Sequence, residues 1–139
     1  MTARPTTNVL LTGVGGQGVV LASFVLSHVA MMEGYDVKQS EVHGMSQRGG
    51  SVVSHLRFGQ EVHSPLVTPG TADLLLSFET LEALRYVHWL RPGGLLVYNM
   101  LRINPSTVAA GLAAYPDDIQ ARIAAAWENS LPVDATALA

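Results

Sequence analysis

The sequence predicts an α/β protein with a Rossmann-like three-layer fold, in which a mostly parallel sheet is covered by helices on both faces. Short, continuous apolar runs alternate with helical segments, which is typical of parallel strands buried on both sides. A glycine-rich turn, residues 13–18, separates the first such run from the first helix. The length of 139 residues suits a single domain with a sizeable core.

The first half of the chain supplies three predicted strands and one helix. Residues 8–12 (NVLLT) form a buried strand, and residues 19–32 form a helix that ends at Glu33-Gly34. This helix is apolar nearly all round, so we expect it to be covered on more than one side. Strands follow at residues 36–42 and 51–58, where apolar side chains recur.

The second half continues the alternation. After a proline-punctuated loop (SPLVTPG, 64–70), a strand is predicted at 72–78, a helix at 79–90 and a strand at 95–100, with Arg91-Pro92-Gly93-Gly94 ending the helix. The type of the segment 104–115 is not predicted. Pro116 is expected to open a helix, and Asp134 to cap a last one. Because the chain stops inside that element, we expect it to be truncated at the C-terminus.

Composition excludes several classes of function. The chain has no cysteine, so it forms no disulfide, has no thiolate nucleophile and holds no iron–sulfur cluster with its own thiolates. A net charge of −3 gives no reason to expect nucleic acid or an anionic membrane as a partner. The apolar segment 19–32 is shorter than the ~20 residues of a membrane-spanning helix. No signal peptide is recognised, and we expect a cytoplasmic protein.

The glycine turn GVGGQG matches the G-x-G-x-x-G pattern, with a strand before it and a helix after it. Such a turn brings backbone N–H groups close to a ligand at the positive end of a helix. The predicted cofactor-binding residues are Gly13, Gly15, Gly16, Gln17 and Gly18. Binding of NAD would also require an acidic residue about 20 positions on, for which Asp36 and Glu41 are ambiguous candidates. Alternatively, the glycines serve close packing alone.

A second glycine-containing loop, EVHGMSQRGG (41–50), follows the second strand. Arg48 beside a glycine pair can hold a carboxylate or phosphate, while neighbouring polar side chains can add directional hydrogen bonds. The predicted ligand or subunit contacts are Glu41, His43, Ser46, Gln47, Arg48 and Gly49. The alternatives are that His43 is a structural hydrogen-bonding residue and that Arg48 pairs with a carboxylate within the fold. No metal site is predicted.

Other histidines carry weaker signals. His55 and Arg57 alternate along the strand 51–58 opposite Leu56 and Phe58. They either line the same side as the second loop or form the solvated face of the strand, and we expect the second. His63 precedes Ser64-Pro65 and is expected to be exposed and inert. His88 and Trp89 end a helix, where core packing or a subunit contact is expected.

Taken together, GVGGQGV and SEVHGMSQRGGSVVSHLRFG resemble the gamma-type domain of the 2-oxoacid:ferredoxin oxidoreductases, and in particular the small (beta) subunit of the indolepyruvate enzymes. The likeness continues through ADLLLSFETLEALR, GGLLVYN and YPDDI, so it covers nearly the whole chain. The second loop is the more specific of the two motifs. Members of this family usually continue past VDATALA.

The resemblance implies a subunit of an enzyme that catalyses CoA-dependent oxidative decarboxylation of a 2-oxoacid, such as indolepyruvate, and passes electrons to ferredoxin. It implies that thiamine diphosphate and iron–sulfur clusters are carried by a large partner subunit, and that the isolated chain is inactive. It provides no catalytic residue. Two alternatives stay open: an NAD(P)- or nucleotide-binding oxidoreductase with Glu41 on the ribose, and a non-catalytic interaction subunit.

Overall fold

The computed structural model describes residues 5–43 and 50–138, without the side chains of His43 and Ser106. In chain order the elements are β1 Thr7–Val14, α1 Val19–Met32, β2 Asp36–His43, β3 Ser51–Gly59, β4 Ala72–Ser77, α2 Thr80–Tyr86, a 3-10 turn Val87–Trp89, β5 Leu90–Asn99, α3 Ser106–Ala109, α4 Ile119–Ala126, β6 Ser130–Val133 and α5 Ala135–Leu138.

The strands form one six-stranded sheet in the order β2-β3-β1-β4-β5-β6. β1, β4, β5 and β6 pair with one another in parallel. β3 is antiparallel to both of its neighbours, β1 and β2, so it alone runs against the other described strands. This arrangement confirms the prediction of a mostly parallel Rossmann-like sheet. The chain leaves β1 toward β2 and leaves β4 toward β5, so the strand order reverses between β1 and β4, where such sheets bind ligands.

Successive side chains of β1 point to opposite faces of the sheet, so they pack in two separate layers of the core. Val9 and Leu11 pack in the layer that contains Val19 of α1. Leu10 faces the other side, in the layer that contains Ala83 of α2 and Ile123 of α4. Helices therefore cover both faces of the sheet, which confirms the three-layer architecture.

The N-terminal half follows the sequence closely. α1 has the predicted bounds, and Gly34 lies just beyond it with a φ of 87°, which favours glycine. β1 is longer than predicted, because Gly13 and Val14 still pair with β3. The expectation that α1 is covered on more than one side is not met within this chain. Only one face is buried, at Val19, Ser23, Ser27 and Ala30, whereas Leu21 and Met32 are exposed.

The C-terminal half departs from the prediction in several places. The helix predicted at 79–90 ends at Tyr86 and continues as the 3-10 turn. β5 begins at Leu90 rather than at residue 95, because Leu90 already pairs with Ala72 across a β-bulge. α4 begins three residues after Pro116, and Asp118 is its N-cap.

Two short elements complete this half. β6 was not predicted, since it is four residues long and contains Pro132, which is tolerated on this edge strand. Asp134 accepts the N–H of Ala137 at 3.1 Å, which confirms the predicted cap of the last helix.

Candidate functional site

The two glycine-containing loops predicted from the sequence meet at the carboxyl end of β1. The glycine turn leaves β1 at Val14 and enters α1 after Gly18. Gly15 N–H donates to the carbonyl oxygen of Gly50 at 2.9 Å. Gly50 directly precedes β3 and is the last residue of the second loop. One backbone hydrogen bond therefore joins the two motifs.

A cleft of about 270 Å³ lies beside this bond on the α1 side of the sheet. Its walls come from the glycine turn, the first turn of α1 and the ends of β2 and β3. The lining residues are Val14, Gly15, Gly16, Gly18, Val19, Val20, Glu41 and Val52. The structure thus places Glu41 of the second loop opposite Gly15, Gly16 and Gly18 of the first.

The polar groups of the cleft are backbone donors on one wall and a carboxylate on the other. Gly18 is the N-cap of α1 and has no side chain to satisfy the first N–H groups of the helix, which carry the positive end of the helix dipole. Glu41 is exposed on β2, the edge strand. The described lining contains no basic side chain. It therefore offers N–H donors to an anionic or carbonyl oxygen, and an acceptor to a hydroxyl or N–H group.

Gln17 turns away from this cleft and bonds within the fold. Its Oε1 accepts the N–H of Val14 at 2.7 Å, and its Nε2 donates to the carbonyl oxygen of Phe78 at 3.0 Å. The side chain thus bridges the carboxyl ends of β1 and β4, where the strand order reverses. Gly13 lies directly beneath it, since a Cβ at this position would come within 2.9 Å of Gln17 Oε1. Ligand binding by Gln17 and Gly13 stays a prediction, and their visible role is to shape the turn.

The rest of the second loop lies outside the described residues. This holds for Ser46, Gln47, Arg48 and Gly49, and for the side chain of His43. Their predicted contacts with a ligand or partner stay predictions. The described ends of the loop, Glu41 and Gly50, both lie at the glycine turn.

The expectation that His55 and Arg57 form a solvated face was wrong for His55. His55 is 5% exposed, its Nδ1 accepts the N–H of Val67 at 3.0 Å, and its ring packs edge-on against Trp89. The loop after β3 and the 3-10 turn cover this face, which the local pattern of the strand did not reveal. Burial lowers the pKa of His55, because a buried site disfavours the charged imidazolium. Arg57 is half-buried and donates to Asn8 Oδ1 and the Ser64 carbonyl oxygen.

The predicted exposure of His63 and the predicted core packing of Trp89 agree with the structure. His63 is exposed and lies 3.6 Å from Glu61. Trp89 packs against the core layer of α2 and α4, while His88 beside it is exposed.

Sequence reasoning missed a buried acidic cluster on the α2 side of the glycine turn. Glu79 is 1% exposed and accepts hydrogen bonds from Leu81 N–H, Glu82 N–H and the Tyr115 hydroxyl. Glu82 is 4% exposed and accepts from Ser51 Oγ at 2.6 Å. Burial raises the pKa of Glu82, and burial next to Glu79 raises the pKa of Tyr115. The available signal was the E-x-x-E spacing at the start of α2, which is close to a capping box.

Neither a metal site nor a membrane-spanning helix is found among the described residues. Among residues 5–43 and 50–138, no three His, Cys, Asp or Glu side chains lie close enough together to hold a metal ion. Within the same residues, no helix has the length and apolar character needed to cross a membrane.

Comparison with known proteins assigns the chain to a family. Residues 8–139 match the family described as pyruvate ferredoxin/flavodoxin oxidoreductase. The indolepyruvate oxidoreductase subunit IorB of Thermococcus kodakarensis is 50% identical over 109 residues, which are 78% of this chain and 54% of that protein. IorB of Archaeoglobus fulgidus is 40% identical over 134 residues, 95% of this chain and 66% of that protein. The chain thus spans about half to two thirds of the length of these relatives.

Solved structures share the fold. The pyruvate oxidoreductase subunit PORC of Thermotoga maritima superimposes with a TM-score of 0.66 at 18% identity, over 96% of this chain and 64% of that one. The gamma subunit of a keto/oxoacid ferredoxin oxidoreductase from Geobacter sulfurreducens gives 0.56 at 24% identity, over 68% of this chain and 51% of that one. At these identities the similarity shows the fold alone.

Proposed function

The chain belongs to the pyruvate ferredoxin/flavodoxin oxidoreductase family, and from that membership we propose that it is the cluster-free subunit of a 2-oxoacid:ferredoxin oxidoreductase. The proposed reaction converts a 2-oxoacid and CoA to an acyl-CoA and carbon dioxide, and passes the two electrons to ferredoxin. Identity of 50% to an indolepyruvate oxidoreductase subunit is the observation that carries this proposal. It favours indolepyruvate or another aryl pyruvate as the substrate.

We further propose that a large partner subunit binds thiamine diphosphate and the iron–sulfur clusters. The donor set of this chain does not fit a cluster, because clusters are held by cysteine thiolates and the chain has no cysteine. This chain then contributes surface and positioning rather than the reacting groups. Ferredoxin would be reached through the partner that carries the clusters.

The cleft between Glu41 and the glycine turn is the proposed ligand or subunit contact. The first turn of α1 offers N–H groups to a phosphate of CoA or to a backbone carbonyl of the partner, and Glu41 accepts a hydroxyl or N–H group. Arg48, Gln47 and Ser46 would extend this contact from the second loop. The family's glycine motif and second loop would then act as one site.

Co-purification of the full chain from its native source tests the proposal. We expect a large, cysteine-rich partner to co-purify, together with thiamine diphosphate and ferredoxin-linked oxidation of aryl pyruvates. The isolated chain should lack both the cofactor and the activity. Oxidation of a 2-oxoacid by the isolated chain, or recovery of the chain from its source without such a partner, would refute the proposal.

A nucleotide-binding oxidoreductase is the second candidate, because Glu41 and the glycine turn line the same cleft, as a ribose acid and a phosphate turn would. Calorimetric titration with NADH separates the two. Submillimolar binding that is lost in Glu41→Ala, but retained in Glu61→Ala at an exposed site remote from this cleft, would favour this candidate. If the chain is instead the cluster-free subunit proposed above, we expect the isolated chain not to bind NADH.

A further inference from the structure

The buried acidic cluster lies against a second cavity, of about 230 Å³, on the α2 side of the sheet. Val14 and Gly50, which flank the glycine cleft, also line this cavity, together with Ser51, Glu79, Glu82 and Arg85. The two cavities are therefore neighbours across the end of β1. The proposed function uses neither Glu79 nor Glu82, although burial of a carboxylate is costly unless it is compensated.

Glu79 has a structural explanation. Its carboxylate caps the N-terminus of α2 by accepting the N–H groups of Leu81 at 3.0 Å and Glu82 at 3.1 Å. The Tyr115 hydroxyl donates to the same carboxylate. Ser77 Oγ donates to the Glu79 carbonyl oxygen at 2.8 Å, so the first turn of α2 is also tied to the end of β4. These hydrogen bonds hold the first turn of α2 in place.

Glu82 is not explained by capping. At the third position of α2 its side chain would bond back to the Glu79 N–H in a capping box. Instead it reaches across to β3 and accepts from Ser51 Oγ at 2.6 Å. The Tyr86 hydroxyl lies 3.3 Å from the same Ser51 oxygen, and Arg85 Nε lies 3.6 Å from the other oxygen of Glu82. The carboxylate is thus aimed at the first residue of β3.

From these contacts we infer that Glu82 is a positioning residue for the glycine cleft. It holds Ser51, Ser51 fixes the adjoining Gly50, and the Gly50 carbonyl oxygen accepts the N–H of Gly15 in the cleft wall. A rigid turn of α2 on one side of the sheet thereby sets the separation of the two glycine loops on the other. The role of the cleft as a contact rests on the proposed function, whereas the positioning itself does not.

Amide hydrogen exchange of the full chain tests the positioning. We expect the Gly15 amide to exchange about tenfold faster in Glu82→Ala and Ser51→Ala, because its acceptor is released. Glu82→Gln retains an acceptor for Ser51 and should restore exchange to within about twofold of the natural chain. Ile123→Val, in the buried core of α4, is the control for general destabilisation and should not affect Gly15 selectively. Unchanged Gly15 exchange in Glu82→Ala would overturn the inference.

Association with the co-purified large subunit provides the second readout. Glu82→Ala should weaken that association at least fivefold and Glu82→Gln should recover it, if the cleft is the subunit or ligand contact. Faster Gly15 exchange with unchanged association and unchanged activity of the complex would uphold the positioning role. The same result would contradict the proposed role of the cleft as a contact. Failure of the positioning role and failure of the proposed function therefore give different results.

Discussion

Gly13 is required in this turn because its neighbours leave no room for a side chain, and not because of an unusual backbone conformation. A Cβ at this position would lie 2.7 Å from Val19 Cγ2, 2.9 Å from Gln17 Oε1 and 3.0 Å from Phe78 Cβ. These atoms belong to α1, to the bridging glutamine and to the end of β4. The absence of a side chain therefore lets the turn close over the strand ends.

Gly13→Ala is expected to destabilise the protein by about 1–3 kcal/mol, because the added methyl group must displace well-packed neighbours. Urea unfolding measures the change. Ala121→Ser, on an exposed face of α4, should stay within about 0.5 kcal/mol of the natural chain. A Gly13→Ala protein of natural stability would contradict this account of the turn.

His55 makes the stability depend on pH. Its folded pKa is lowered by burial, so below about pH 6.5 the unfolded chain binds a proton that the folded chain does not. Stability therefore falls as pH decreases from about 6.5 toward the folded pKa, by at most about 1.4 kcal/mol per pH unit. Glu82, whose pKa is raised, has the opposite effect, with stability lost as pH rises above about 4.5.

Replacement of His55 by asparagine separates the two groups. Asparagine can accept the Val67 N–H but does not titrate, and Glu82 is common to both proteins. The stability advantage of the natural chain over His55→Asn should therefore shrink between pH 7.5 and pH 5.5 in urea unfolding. A constant difference across that range would show that His55 is protonated equally in both states.

Elements with local signals at both ends were predicted accurately, and those set by distant contacts were not. α1 begins at a glycine turn and ends before Gly34, so both of its bounds could be read from neighbouring residues. The early start of β5 depends on pairing with β4 through a bulge.

The same distinction between local and distant signals applies to the candidate site. Glu41 and the glycine turn were found from their sequence motifs. The Glu79–Tyr115 bond, in contrast, joins residues 36 positions apart.

The first turn of α2 is expected to depend on Tyr115. Tyr115→Phe removes the hydroxyl that donates to the buried Glu79 carboxylate and accepts the Leu81 N–H at 3.1 Å. Because hydrogen bonds to charged groups contribute about 1.5–3 kcal/mol, we expect a loss of that size in urea unfolding. Faster amide exchange at Leu81, with exchange in α1 following only the global loss, would locate the effect. A loss below about 0.5 kcal/mol would mean that backbone groups alone hold Glu79.

At the scale of the whole molecule, the outer face of α1 differs from an ordinary polar surface. No Asp, Glu, Lys or Arg occurs between Val19 and Met32, and His28 is the one exposed histidine of this helix. The exposed apolar side chains of this helix are Leu21, Phe24, Val25, Val29, Met31 and Met32. Contiguous apolar patches of this kind lead to association unless they are covered.

We therefore expect the isolated chain to self-associate as its concentration rises, and Leu21→Glu combined with Met32→Lys to reduce this. Both side chains are exposed, 67% and 85%, so the unfolding free energy should change by less than about 1 kcal/mol. The pair leaves the net charge at −3 and places each charge at the favourable end of the helix dipole. Sedimentation velocity over a range of concentrations measures the association.

Leu112→Lys, 81% exposed and outside α1, is the control and should associate like the natural chain. If the double variant associates as strongly as the natural chain, the α1 face is not the surface through which the isolated chain associates.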